Sequence, residues 1–198
     1  HSAPPSFPAE TRPAYAAINL DLQHYREAAD AYKQLISRTR DDAMRRDASI
    51  GLMRASFGAK DYEEVIRNGQ MIGTREARFL MAKSFRTTGD RESARSLFEE
   101  LAADCSDAYG AESTYILIRE AYDKGDFDKV EELVYAFSRA GSDQLYWLAK
   151  SFIILGDSFA DRGDTVQAEA TFNSILDGYQ PTGDEDDVPG QVRSRLSL

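Results

Sequence analysis

The feature that most constrains this chain is a recurrence, and it is clearest around Gly163. Before that glycine Phe152, Leu155, Gly156 and Phe159 recur at helical spacing, and after it Ala168, Phe172, Ile175 and Leu176 do the same. The stretch from Leu145 to Tyr179 therefore reads as a helical hairpin with one apolar face on each helix. Gly163 ends the first helix, because glycine takes the left-handed conformation cheaply, and Asp164 accepts the free N–H groups that open the second. Gly156 and Ala168 mark the close approach of the two helices, and Phe159 and Phe172 fill the space beside it.

The same pattern returns at Gln23, Lys60, Gly89 and Gly125, so the five markers lie 37, 29, 36 and 38 residues apart. Five residues after each marker stands Ala28, Val65, Ala94, Val130 or Ala168. Nine after stands Tyr32, Gly69, Phe98, Val134 or Phe172, and twelve after stands Leu35, Ile72, Leu101, Phe137 or Ile175. Eight before stands Tyr15, Leu52, Met81, Leu117 or Leu155, each followed by Ala16, Met53, Ala82, Ile118 or Gly156. Only Gly69 interrupts the series. An irregular helical bundle has no reason to keep one period in its small and large residues.

A helix-turn-helix unit of about 34 residues with this small-then-aromatic spacing resembles the tetratricopeptide repeat, over nearly the whole chain. The resemblance implies an all-α fold, a right-handed superhelical solenoid of about five hairpins. Their expected bounds are 9–39, 42–72, 74–103, 107–140 and 142–180, together one elongated domain over 9–182. Pro13 fits only the opening turn of the first hairpin, Asp42 is the expected cap of the second, and Pro181 stops the last helix. Residues 1–8, HSAPPSFP, have three prolines and no periodicity, and read as an extended or disordered stretch of tag or trimmed end. From 183 to 198 an acidic loop leads to a short helix. There Asp186 or Asp187 caps a face of Val188, Val192 and Leu196 that covers the open end of the fifth hairpin, as solenoid ends require.

The last two hairpins carry a second likeness. The run Gln144 to Phe152 (QLYWLAKSF), then Gly163-Asp164, Gln167-Ala168, Ile175-Leu176-Asp177 and Asp186-Asp187-Val188, is similar to the C-terminal end of long tetratricopeptide-repeat proteins of the Bacteroidetes cell envelope. That resemblance implies a periplasmic or outer-membrane-associated location, with the cytoplasm as the alternative, and carries no catalytic residue.

The chemistry is mostly a matter of exclusion. A formal charge of -10 argues against affinity for phosphate backbones, so nucleic acid is not the expected partner. No apolar run approaches the roughly 20 residues that span a bilayer. With two histidines, one of them terminal, neither a histidine metal cage nor a Ser/His/Asp triad assembles, and no phosphate-binding glycine loop is present. Carboxylate pairs such as Glu99-Glu100 and Glu131-Glu132 point about 100° apart on a helix and read as solvated surface. No cofactor, metal or catalytic residue is expected. The lone Cys105 has no internal disulfide partner, and its neighbours Asp104 and Asp107 are expected to raise its pKa.

What remains is a row on the first helices. Six residues before each marker the series reads Ala17, Arg54, Lys83, Arg119 and Asp157; ten before it reads Pro13, Ile50, Phe79, Tyr115 and Ile153; three before it reads Leu20, Phe57, Arg86, Tyr122 and Ala160. These positions share the helix face not used in packing, which a solenoid turns toward its concave side. For Ile50, Phe79 and Ile153, packing between hairpins is an equal reading. Arg54, Phe57, Phe79, Lys83, Arg86, Tyr115, Arg119 and Tyr122 are thus the candidate partner-binding residues, suited to an acidic or C-terminal peptide. They resemble the carboxylate clamp of co-chaperone grooves, but the asparagines of that clamp are absent. Two other readings remain open: a self-associating subunit that works through its ends, and a glycan-binding or hydrolytic protein using acidic residues.

Overall fold

The computed structural model describes residues 12–183 and 186–196. Among the described residues the chain forms eleven helices and no strand. They are α1 (Arg12–Asp21), α2 (Tyr25–Arg38), α3 (Asp42–Gly58), α4 (Tyr62–Ile72), α5 (Arg75–Thr88), α6 (Arg91–Ala102), α7 (Ala108–Asp123), α8 (Phe127–Arg139), α9 (Leu145–Asp161), α10 (Thr165–Gly178) and α11 (Val188–Leu196). The first ten are the expected hairpins taken in pairs, and α11 is the expected closing helix. The proline-rich N-terminal stretch, the expected start of the first hairpin at Ala9, and Asp184 and Glu185 of the acidic loop lie outside the described residues.

All five markers take the left-handed conformation, with φ of 60° at Gln23, 63° at Lys60, 95° at Gly89, 71° at Gly125 and 80° at Gly163. Four of the turns then close in one way. The N–H of the next residue donates to the carbonyl five back: His24 to Asn19 at 2.8 Å, Asp61 to Ser56 at 2.8 Å, Asp126 to Ala121 at 3.0 Å and Asp164 to Phe159 at 2.9 Å. That bond satisfies a carbonyl left over at the helix end. The residue that makes it also opens the next helix, since the carboxylates of Asp61, Asp126 and Asp164 accept from the N–H groups of Glu64, Lys129 and Gln167. Asp90 does the same for Ser93. At Lys60, Gly125 and Gly163 two residues thus end one helix and cap the next; at Gln23 the turn closes in the same way, but His24 makes no side-chain cap bond.

Contacts divide the chain into two compact units, 1–97 and 98–198, where the sequence reading expects one domain. Repeated hairpins pack chiefly on their neighbours, so their contacts need not gather round one centre. In the first unit α3 packs on α1 and α2, and α5 packs on α3 and α4. Ala16, Ala28, Tyr32, Leu35, Leu52 and Ala55 make one core cluster, and Met53, Val65, Ala77 and Met81 make another. In the second unit α9 packs on α7 and α8, and α11 on α9 and α10, so α11 stands where a further first helix would stand. Its core runs through Ile118, Val130, Val134, Phe137, Leu155, Phe172 and Ile175 to Val188 and Val192, both fully buried.

Several details differ from expectation. Gly69 is no gap in the packing: a Cβ there would lie 2.4 Å from Cγ and Sδ of Met81, whose side chain fills the space that an aromatic residue takes elsewhere. Gly156 behaves as expected, since its Cβ would meet Cε1 of Phe172 at 2.4 Å. The cap of α3 is Asp41, which accepts from Ala43 and Met44, and Asp42 is already helical. Cys105 is buried, and its thiol pKa is raised chiefly by that burial, with Asp104 a smaller contributor.

Candidate interaction surface

In each hairpin the first helix is fixed at its C-terminal end by the left-handed turn, and the packed positions of that helix decide which face stays open. The residues six before each marker are the least covered: Ala17, Arg54 and Arg119 are exposed, and Lys83 and Asp157 half-buried. The residues ten before are more enclosed. Phe79 and Ile153 are buried, which assigns Phe79 to the core and corrects its place in the predicted row. Phe57 is half-buried against the Met53, Val65 and Met81 cluster and packs edge-on against Tyr62 at 5.9 Å, so it too works mainly in packing. Arg86 is exposed.

In the first unit, Arg54 of α3 reaches Glu76 of α5 in a two-pronged ion pair, Nε to Oε1 at 2.6 Å and Nη2 to Oε2 at 2.7 Å. Lys83 stands over the Phe79 ring at 5.0 Å, so the buried ring props the cation at the surface. In the second unit, Tyr115, Arg119 and Tyr122 lie on one face of α7. The Tyr115 ring packs on Trp147 at 5.3 Å, and the Arg119 guanidinium lies 5.8 Å from the Tyr122 ring and pairs with Asp123 at 3.1 Å. Tyr122 donates its hydroxyl to Asp161 at 2.7 Å; burial and then that bond push its pKa up to about 12, so it stays a donor at neutral pH.

Beside this row stands a polar cluster that sequence reasoning missed. Asp157 is held by Arg195 of α11 through two bonds, at 2.5 and 2.7 Å. Asp187 accepts from Lys150 at 2.9 Å, from Tyr146 at 3.1 Å and from Gln191 at 2.6 Å. Tyr179 donates to Asp186, which also accepts from the N–H of Val188 at the start of α11. Burial and the bond to Asp187 raise the Tyr146 pKa to about 12. These contacts fasten α11 over α9. The partners on α9 lie 37 to 41 residues from Asp187 and Arg195, and nothing local in the sequence signals them.

Among the described residues, no group of three or more His, Cys, Asp or Glu is placed to hold a metal ion, and no helix is long and apolar enough to cross a membrane. The arrangement offers aromatic faces, a guanidinium and hydroxyls to another side chain. A tetratricopeptide repeat family model matches residues 76–108, from the first turn of α5 through α6 to the start of α7. No curated protein matches the chain in sequence. Among solved structures it is similar to the nearly identical TPR-like repeats of a Podosopora anserina candidate kinesin light chain, with 14% identity, 98% of each chain covered and a TM-score of 0.59. A single-substitution form of those repeats aligns with 14% identity over 98% of this chain and 100% of that one, at a TM-score of 0.56. The chain contains a tetratricopeptide repeat, and its all-α fold is that of TPR-like helical hairpins.

Proposed function

We propose that this protein is a non-catalytic interaction scaffold that holds a peptide or extended segment of a partner protein on the open faces of its first helices, within a bacterial cell-envelope assembly. One observation carries the reading: on α7 the half-buried rings of Tyr115 and Tyr122 flank the exposed Arg119. Aromatic anchors beside a guanidinium are the residue types that dominate protein interfaces. The Asp123 partner of Arg119 is a surface pair four residues away on the same helix, worth about 0.3–0.5 kcal/mol, so a ligand carboxylate displaces it at little cost. An acidic segment suits these cations in a chain of net charge -10, and nucleic acid does not. The periplasmic or outer-membrane location rests on the resemblance of residues 144–188 to envelope proteins.

The test is partner capture from native envelope extracts with Lys83→Glu combined with Arg119→Glu. Each side chain stands on the open face of its own helix, Lys83 half-buried on α5 and Arg119 exposed on α7, so the melting temperature should stay within a few degrees of wild type. Capture should fall steeply, and wild-type capture should weaken with salt, because partly exposed ion pairs are screened over roughly 8–10 Å. Undiminished capture by the variant at low and high salt refutes the reading.

A further inference from the structure

The first helix of the fifth hairpin carries an apolar stripe that the repeat does not require. Fifteen residues before the marker the second, third and fourth hairpins have Arg45, Thr74 and Gly110, and eleven before it they have Ser49, Arg78 and Thr114. The fifth hairpin has Leu148 and Phe152 at these places, and Leu145, one turn earlier, is 52% exposed. Together with Ile175, Gly178 and Tyr179 from the second helix and its end, they line a notch of about 270 Å³ between α9 and α10. It lies at the end of the hairpin away from the Gly163 turn. A cavity of about 150 Å³ lined by apolar side chains already holds a benzene ring, so this notch seats one large apolar side chain.

We propose that the notch docks a basic segment of a partner protein, which inserts one large apolar side chain flanked by Lys or Arg. Charge selects this occupant. Residues 98–198 hold 21 Asp and Glu against eight Lys and Arg, a net charge of -13, whereas residues 1–97 carry +3. The edge of the notch is acidic on both helices, since Asp143 stands exposed two residues before Leu145 and Asp177 stands exposed beside Gly178. Little in the two helices offsets them. α10 has no Lys or Arg, and the one cation of α9, Lys150, is held by Asp187 at 2.9 Å. The C-terminal end of α10, with no basic residue in its last turn, adds the negative pole of its dipole at Gly178. A cationic flank is therefore attracted where an apolar anchor finds its seat, and an anionic amphiphile is repelled. The notch shares no residue with the α7 row, so this basic segment is additional to the acidic one proposed above.

Fluorescence anisotropy of a dye-labelled heptapeptide, one central phenylalanine between paired lysines, tests this on the full chain. The wild type should bind the peptide saturably and more weakly as salt rises. Exchanging the phenylalanine for alanine, or the lysines for glutamates, should weaken binding about tenfold or more. Gly178→Trp should do the same with an unchanged helical spectrum, because a Cβ at Gly178 meets no atom within 4 Å and the indole can close the notch without strain. Asp143→Lys with Asp177→Lys should also abolish binding, whereas Lys83→Glu with Arg119→Glu should retain it, which separates this surface from the α7 row. Equal binding of the phenylalanine and alanine peptides overturns the inference, and so does full binding by Gly178→Trp. A wild type that does not bind the peptide overturns it as well, and self-association lost in Gly178→Trp would then give the notch to a second copy.

Discussion

Gly156→Ala should destabilise the protein, although the same change in an ordinary helix interior stabilises by about 1 kcal/mol. The structure sets the sign. A methyl group on Gly156 would lie 2.4, 2.7 and 2.9 Å from three carbons of the Phe172 ring, where carbon atoms pack best at about 3.5–4.0 Å. The ring is 4% exposed, so it cannot swing into water to make room. Overpacking of this kind costs roughly 1–3 kcal/mol. Set against the helix gain, the net loss is up to about 2 kcal/mol, a fall of as much as a few degrees in melting temperature for a chain this size. Urea unfolding followed by circular dichroism reads it directly. On a Phe172→Ala background the ring is gone and Gly156→Ala should become stabilising, so the sign reverses between the two backgrounds. If Gly156→Ala stabilises the wild type, the ring does not sit on the glycine and the register of the fifth hairpin is wrong.

Phe172→Ala alone should cost about 3–5 kcal/mol, and a loss below about 1 kcal/mol in the same assay would remove Phe172 from the core. Lys60→Gly should gain up to about 1.5 kcal/mol. It relieves a left-handed lysine costing roughly 1–2 kcal/mol and adds backbone freedom worth roughly 0.5–1 kcal/mol; a measured loss would contradict the 63° φ. The hydrogen bond from Lys150 is the main cause holding the Asp187 carboxyl below its usual 3.8, so its contribution is present above that pH and lost as pH falls through the lower folded value. Melting temperature should therefore drop more steeply below about pH 4 in wild type than in Asp187→Asn, and parallel curves would show that Asp187 does not secure α11.

The turns and the core were legible in the sequence because their signals are local. A left-handed residue followed by a capping aspartate is a two-residue device, and a core face repeats at the helical period, so Ala28, Val65, Ala94, Val130 and Ala168 declared themselves by spacing. What escaped depends on residues brought together from different hairpins. Gly69 looked like a fault because Met81, which fills its place, belongs to the next first helix. Arg54 looked like an open cation because Glu76, its carboxylate partner, is 22 residues away. Phe79 occupies the same register position as the half-buried Tyr115, and only packing separates its buried ring from that residue. The fastening of α11 through Asp157–Arg195 and Lys150–Asp187 lies beyond any pattern in a single helix.

The functional account stands most directly on where a partner touches the molecule, and site-specific photo-crosslinking in native cells measures that. A benzophenone side chain is placed at Arg119, on the open row of α7, or at Tyr135, exposed on the second helix α8. The account predicts a discrete crosslinked protein from position 119, diminished when Tyr122→Ala is added on the same helix, and none from position 135. A crosslink from 135 with none from 119 would place recognition on the second helices and contradict it.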